Sequence, residues 1–197
     1  MGFGARNATH GFTLPELMTA MAVLVIVAAI ALPSYRTIIR SAHLTTQIHN
    51  FDAGLNLARS EAVKRGMSVS LCPSTDQATC TSSTKWEQGW MVFVDKDADH
   101  ARDTGDPLEA ILRANGALIS GYTLRGTTAS PCELDCYFTV NPKAQPSAAG
   151  QFVLCENGQI DPSRAILVNT VGRITIAPDN NGVPVGADGN DMTDCTP

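Results

Sequence analysis

Hydrophobic and polar positions divide the chain into three stretches. From Leu17 to Leu32 the run LMTAMAVLVIVAAIAL carries no charge. Extended from Phe12 to Tyr35 it reaches the length of a bilayer span, with Glu16 as its one charged residue. After Pro33 the pattern becomes amphipathic: Tyr35, Ile38, Ala42, Ile48, Phe51, Leu55, Ala58 and Ala62 recur mostly at three- and four-residue steps. One helix from Phe12 to about Arg65 is predicted, about 80 Å long at 1.5 Å per residue, with a head domain covering its second half. Pro33 is expected to kink it. Gly66 is expected to cap it after Lys64 and Arg65, whose charges suit the negative end of the helix dipole.

Beyond Gly66, short β-type runs alternate with turn clusters: Val69–Leu71, Trp90–Val94, Ala110–Arg113, Gly121–Leu124, Tyr137–Val140, Gln151–Cys155, Ala165–Asn169 and Arg173–Ala177. They predict an antiparallel sheet whose apolar face packs on the amphipathic half of the helix, an α+β architecture. Asn141–Gly150 and Pro178–Cys195 read as long loops.

Composition narrows the function classes. The net charge of −5 is uneven, because Met67–Pro197 holds 16 acidic and eight basic residues. Polyphosphate affinity needs clustered positive charge, so this distal part is a poor general nucleic-acid binder. All six cysteines (Cys72, Cys80, Cys132, Cys136, Cys155 and Cys195) lie beyond the apolar run. An even set in a domain that follows a membrane segment reads as disulfides in an oxidising compartment. Zinc is disfavoured, since no C-x-x-C pair occurs and His10, His43, His49 and His100 are not spaced with the cysteines. The simplest pairing is Cys72–Cys80, Cys132–Cys136 and Cys155–Cys195, two local bridges and one that ties a C-terminal loop to a strand. No G-x-S-x-G, P-loop or H-E-x-x-H motif is present, so neither an enzyme nor a cofactor is expected.

A secretory signal peptide would be cut after its apolar core, but here the helical pattern continues past Pro33. The residues before the core, Gly11-Phe12-Thr13-Leu14-Pro15-Glu16, resemble the type IV prepilin motif. That resemblance implies a prepilin peptidase that cuts after Gly11 and methylates the new amine of Phe12. It also implies that Glu16 meets the N-terminal amine of a neighbouring subunit, so that assembly neutralises a carboxylate that is costly beside lipid. Further segments, LARSEAVKRGMSVSLCPS (57–74), GWMVFVDKDADHARDTGDPLEAILR (89–113) and FVLCENGQIDPSRAILVNTVGRITI (152–176), resemble the GspH/FimT group of minor pilins and pseudopilins.

The resemblance implies the type IV pilin fold and four regions: a leader at 1–11, a transmembrane and assembly helix at 12–33, its amphipathic half at 34–66 and a disulfide-braced head at 67–197. It implies other pilins as partners, and an inner-membrane location with a periplasmic head before incorporation into a filament. Three roles stand side by side: a minor pilin at or near a pilus tip, a type II secretion pseudopilin, and a DNA-uptake pilin. DNA-uptake members carry Gly-Arg-x-Arg near the C-terminus, whereas this chain has Gly172-Arg173-Ile174-Thr175. A lone Arg173 on an acidic head cannot form a paired clamp on phosphates, so DNA binding is not favoured.

Two other features have local readings. Asp95, Asp97, Asp99 and Asp106 fall at positions one, three, five and twelve of an EF-hand count, but His100 stands where glycine is usual and the loop follows a strand. A solvated acidic loop is the preferred reading, with calcium as the alternative. Trp86 and Trp90 are read as core or edge aromatics rather than as a stacking platform.

Overall fold

The computed structural model describes residues 12–127 and 136–195. The chain divides into two compact units, Met1–Ser41 and Ala42–Pro197. A single helix, α1 (Leu14–Arg65), is assigned without a break through Pro33. In the first unit every described large apolar side chain from Phe12 to Ile38 is more than half exposed. Those from Leu17 to Leu32 belong to a stretch long and apolar enough to cross a membrane.

In the second unit α1 turns one stripe inward: Leu44, Ile48, Phe51, Leu55, Ala58 and Ala62 are buried at three- and four-residue spacing. Tyr35, Ile38 and Ala42, expected on that stripe, are exposed, and Tyr35 and Ile38 belong to the first unit. The packed stripe therefore begins at Leu44. The helix ends at Gly66, whose N–H donates to Ala62 O at 3.0 Å and whose φ of +66° suits glycine. Lys64 and Arg65 pair with Glu61 on the same helix, at 3.1 and 2.6 Å.

The head contains β1 (Val69–Pro73), β2 (Trp90–Val94), β3 (Ile111–Asn115), β4 (Tyr122–Thr127), β5 (Phe138–Val140), β6 (Gly150–Glu156), β7 (Gln159–Val168), β8 (Ile174–Ile176), β9 (Asp179–Asn180) and β10 (Val183–Pro184). The single expected sheet is replaced by two antiparallel four-stranded sheets, ordered β3-β2-β1-β5 and β4-β6-β7-β8. A two-stranded β9–β10 hairpin lies in the segment read as a loop. Sequence patterning locates strands but does not state which of them pair, so the split was not readable from it.

Both sheets contribute to one core with the α1 stripe. The first supplies Val69, Leu71, Trp90, Val92, Phe138 and Val140, the second Leu124, Phe152, Leu154, Ile166 and Val168. Phe51 joins them, meeting Trp86, Trp90 and Phe152 edge-on with centroids 5.5, 5.5 and 4.8 Å apart. Each sheet also buries apolar residues outside this core. Cys72, Met91 and Phe93 gather Cys80, Ile111 and Tyr137, while Val153, Cys155 and Ala165 pack with Ala177, Met192 and Cys195. Burial on both faces accounts for the unbroken apolar run of β2.

Candidate functional site

The first candidate site is the start of α1. Glu16 N–H and Leu17 N–H donate to Thr13 O at 3.1 Å. The Thr13 N–H and hydroxyl both reach back to Glu16 Oε2, each at the long distance of 3.5 Å. Thr13-Leu14-Pro15-Glu16 has the sequence of a capping box but forms only its return half, because the Glu16 N–H goes to the Thr13 carbonyl and not to its hydroxyl. Pro15 sits in the first turn, where a missing N–H is least costly. Glu16 is held loosely by its own helix end and lies among exposed apolar side chains. Phe12 is 83% exposed beside it. Gly11 lies outside the described residues, and Pro33 is within the helix.

The second is the acidic loop between β2 and β3. Asp95 is fully buried at the end of β2. Its Oδ2 accepts hydrogen bonds from Ser70 Oγ at 2.5 Å and His100 N at 3.2 Å, while its Oδ1 is buried without a partner. Burial pushes the Asp95 carboxyl above the ordinary carboxylate range, against the hydrogen bonds from Ser70 and His100. Thr139 Oγ1 lies 2.5 Å from Ser70 Oγ and 2.9 Å from His100 Nδ1, and the His100 ring stacks on Tyr137 at 3.8 Å. Ser, His and Asp meet here, yet Ser70 is completely buried and bonds the carboxylate rather than the imidazole. The arrangement is a structural lock, unlike the order of a nucleophilic relay.

Of the four expected carboxylates, Asp95, Asp97 and Asp99 come together, each offering an oxygen within 4.8 Å of the others. Asp106 is not in that group. It pairs with Lys96 Nζ at 3.1 Å and accepts Leu108 N–H at 2.8 Å, which pull its carboxyl below the usual range, the backbone bond more than the lysine. Asp97 is also near Asp103 and Glu109. Glu109 is 2% exposed and accepts the N–H groups of Lys96 and Asp103 at 3.2 and 2.6 Å. Neither Asp103 nor Glu109 was singled out from the sequence. Asp103 stands at position nine of the same count, a signal that was present.

The third is the turn between β7 and β8. Asn169 Oδ1 accepts the N–H groups of Val171 and Arg173 at 3.2 and 2.7 Å, and Gly172 has φ +79°. A Cβ on Gly172 would lie 2.2 Å from Ala144 O, so the glycine is needed for the close approach of two backbones. Arg173 is exposed and lines an open groove of about 820 Å³ with Asn169, Thr170 and Thr175, and among the described residues no second cation lines it.

Two disulfides tie covering segments to the sheets. Cys72–Cys80 fixes the loop after β1, and Cys155–Cys195 fixes the C-terminal segment to β6. Cys136 is disulfide-bonded, but the expected Cys132–Cys136 pairing falls on Cys132, outside the described residues. Trp86 and Trp90 are buried in the core and offer no ligand platform. His43 and His49 are exposed on α1.

Comparison with known proteins bears on the assignment directly. Residues 6–32 match the prokaryotic N-terminal methylation motif, and residues 47–172 match the family described as type II transport protein GspH. No curated protein matches the chain by sequence. The fold is similar to two crystal forms of the type IV minor pilin FimU from Pseudomonas aeruginosa strain PAO1. One is 20% identical over 79% of this chain and 97% of that one, with a TM-score of 0.56. The other is 21% identical over 77% and 99%, with a TM-score of 0.54. The minor pseudopilin EpsH of the Vibrio cholerae type 2 secretion system is 12% identical over 68% and 95%, with a TM-score of 0.47. Because the family match extends over well more than half of the residues, the chain belongs to the GspH family of minor pilins and pseudopilins.

Proposed function

We propose that the chain is a minor pilin, a non-catalytic subunit at or near the tip of a type IV pilus that takes part in starting assembly. One observation carries this reading: an exposed apolar helix with a single carboxylate, Glu16, at its first turn. Such a surface needs a cover of lipid or of neighbouring helices, and the carboxylate needs a cation within it. A prepilin peptidase cut after Gly11 supplies that cation as the amine of Phe12. The subunit then waits in the inner membrane with its head in the periplasm and enters the filament when Glu16 meets the amine of a neighbour. A type II secretion pseudopilin is the second reading, favoured by the description of the matched family.

Mass spectrometry of chain recovered from an assembly-competent strain is expected to show methylated Phe12 at the N-terminus; cleavage near Ala31 would sink the reading. Glu16→Ala is expected to reduce incorporation into filaments while the head stays folded. Arg173→Ala is expected to leave assembly intact and to change duplex DNA binding little. A salt-sensitive DNA affinity lost on Arg173→Ala would instead place the chain in DNA uptake. Deletion that abolishes secretion but spares pili would select the pseudopilin.

A further inference from the structure

The acidic loop offers chemistry that the filament reading does not use. Ala98 and His100 both adopt left-handed backbone conformations, φ +59° and +68°, and thereby gather alternate residues of the loop into one carboxylate group. His100 stands at the position where an EF-hand loop uses glycine, and its N–H donates to Asp95 at 3.2 Å. Among the described residues no lysine or arginine pairs with Asp95, Asp97 or Asp99, because the lysine within the loop, Lys96, is taken by Asp106. Three carboxylates therefore share one small volume with no lysine or arginine paired to them, and the His100 ring, whose Nδ1 lies 3.7 Å from Asp95 Oδ2, is a cation only when protonated. The decisive feature is Asp95, whose side chain is fully buried while Oδ1 has no hydrogen-bond partner. A buried carboxylate oxygen left without a donor is costly, so a native position of this kind calls for a partner.

We infer that the loop after β2 is a calcium site whose protein ligands are Asp95, Asp97 and Asp99. Only oxygens are offered, which suits a hard cation. Ligand oxygens about 2.4 Å from a central calcium lie up to about 4.8 Å from one another, as these do. Asp97, which also approaches Asp103 and Glu109, connects the site to the buried Glu109 carboxylate that orders the rest of the loop. Asp106 is outside the site. The inference stands apart from the filament reading, since it concerns the head alone.

The test uses the full chain in detergent micelles, stripped with a chelator and titrated with calcium by calorimetry and by thermal melting. Saturable binding with Kd about 10⁻⁴–10⁻³ M and a rise in melting temperature are expected, as in extracellular calcium modules. Asp97→Asn and Asp99→Asn are expected to weaken binding about tenfold or more while melting like the parent in chelator, since both side chains are exposed. The distant Asp188→Asn is expected to change affinity less than about threefold. Magnesium at the same concentration should give the smaller shift. Absence of saturable binding, equal response to both ions, or unchanged affinity in Asp97→Asn and Asp99→Asn would overturn the assignment.

Discussion

Asp76 organises the loop closed by Cys72 and Cys80 with four hydrogen bonds: from Ala78 N and Thr79 N at 2.9 Å each, Thr79 Oγ1 at 2.7 Å and Ser74 Oγ at 3.0 Å. The backbone bonds, Thr79 first, draw its carboxyl far below the usual carboxylate range. A depressed folded-state value stabilises the fold above the unfolded-state pKa, near 4, and that stabilisation is lost as pH falls toward the folded value. Asp76→Asn is therefore expected to lower the melting temperature at neutral pH, with the gap from the parent closing below about pH 4 in a pH series of melts. Spacing grouped Asp95, Asp97, Asp99 and Asp106, whereas in the structure the first three come together and Asp106 stands apart on Lys96. A count along the chain contains no information on where Lys96 reaches, and that lysine determines which carboxylate is free.

At the scale of elements, α1 and eight strands were legible because their apolar periods differ, close to 3.6 for the helix and two or continuous for the strands. The β9–β10 hairpin was missed although its turn contains Asn181-Gly182, both with positive φ, a strong hairpin signal. The early start of β7 was hidden by Pro162, since proline within a run argues against a strand. Close approach of helix and sheet was also hidden. A Cβ on Gly54 of α1 would lie 2.7 Å from the ring of Trp90 in β2, so this glycine sets the packing distance. Gly54→Val is expected to destabilise by about 1–3 kcal/mol through overpacking, read from denaturant unfolding. Gly54→Ala should cost less, because the gain in helix propensity, about 1 kcal/mol, offsets part of the clash.

Taken as a whole molecule, the chain places its two described bridges in the two apolar clusters outside the main core. There a covering segment without a full strand must be held on a sheet. On the chain-entropy account the bridge spanning 40 residues contributes about 3–4 kcal/mol and the one spanning eight about 2–3. Paired serine substitutions at Cys155 and Cys195 should therefore lower the unfolding free energy more than those at Cys72 and Cys80. That cysteines braced the head was readable from their number and their absence from the apolar run. That each bridge fastens a cover to a sheet was not, because the covers are defined by the two-sheet split.

The longer bridge also has a mechanical consequence. Cys195 follows β10 and is joined covalently to β6, so load applied to the chain after Cys195 bypasses β7 to β10 and enters the molecule at Cys155. Peeling from that end cannot begin while the bridge is intact. If one molecule is stretched between α1 and a handle placed after Cys195, reduction of this bridge should add about 130 Å to the final extension, the length of the 40 residues it encloses. The oxidised head is accordingly a shorter tether than its residue count implies, and reducing agent lengthens it.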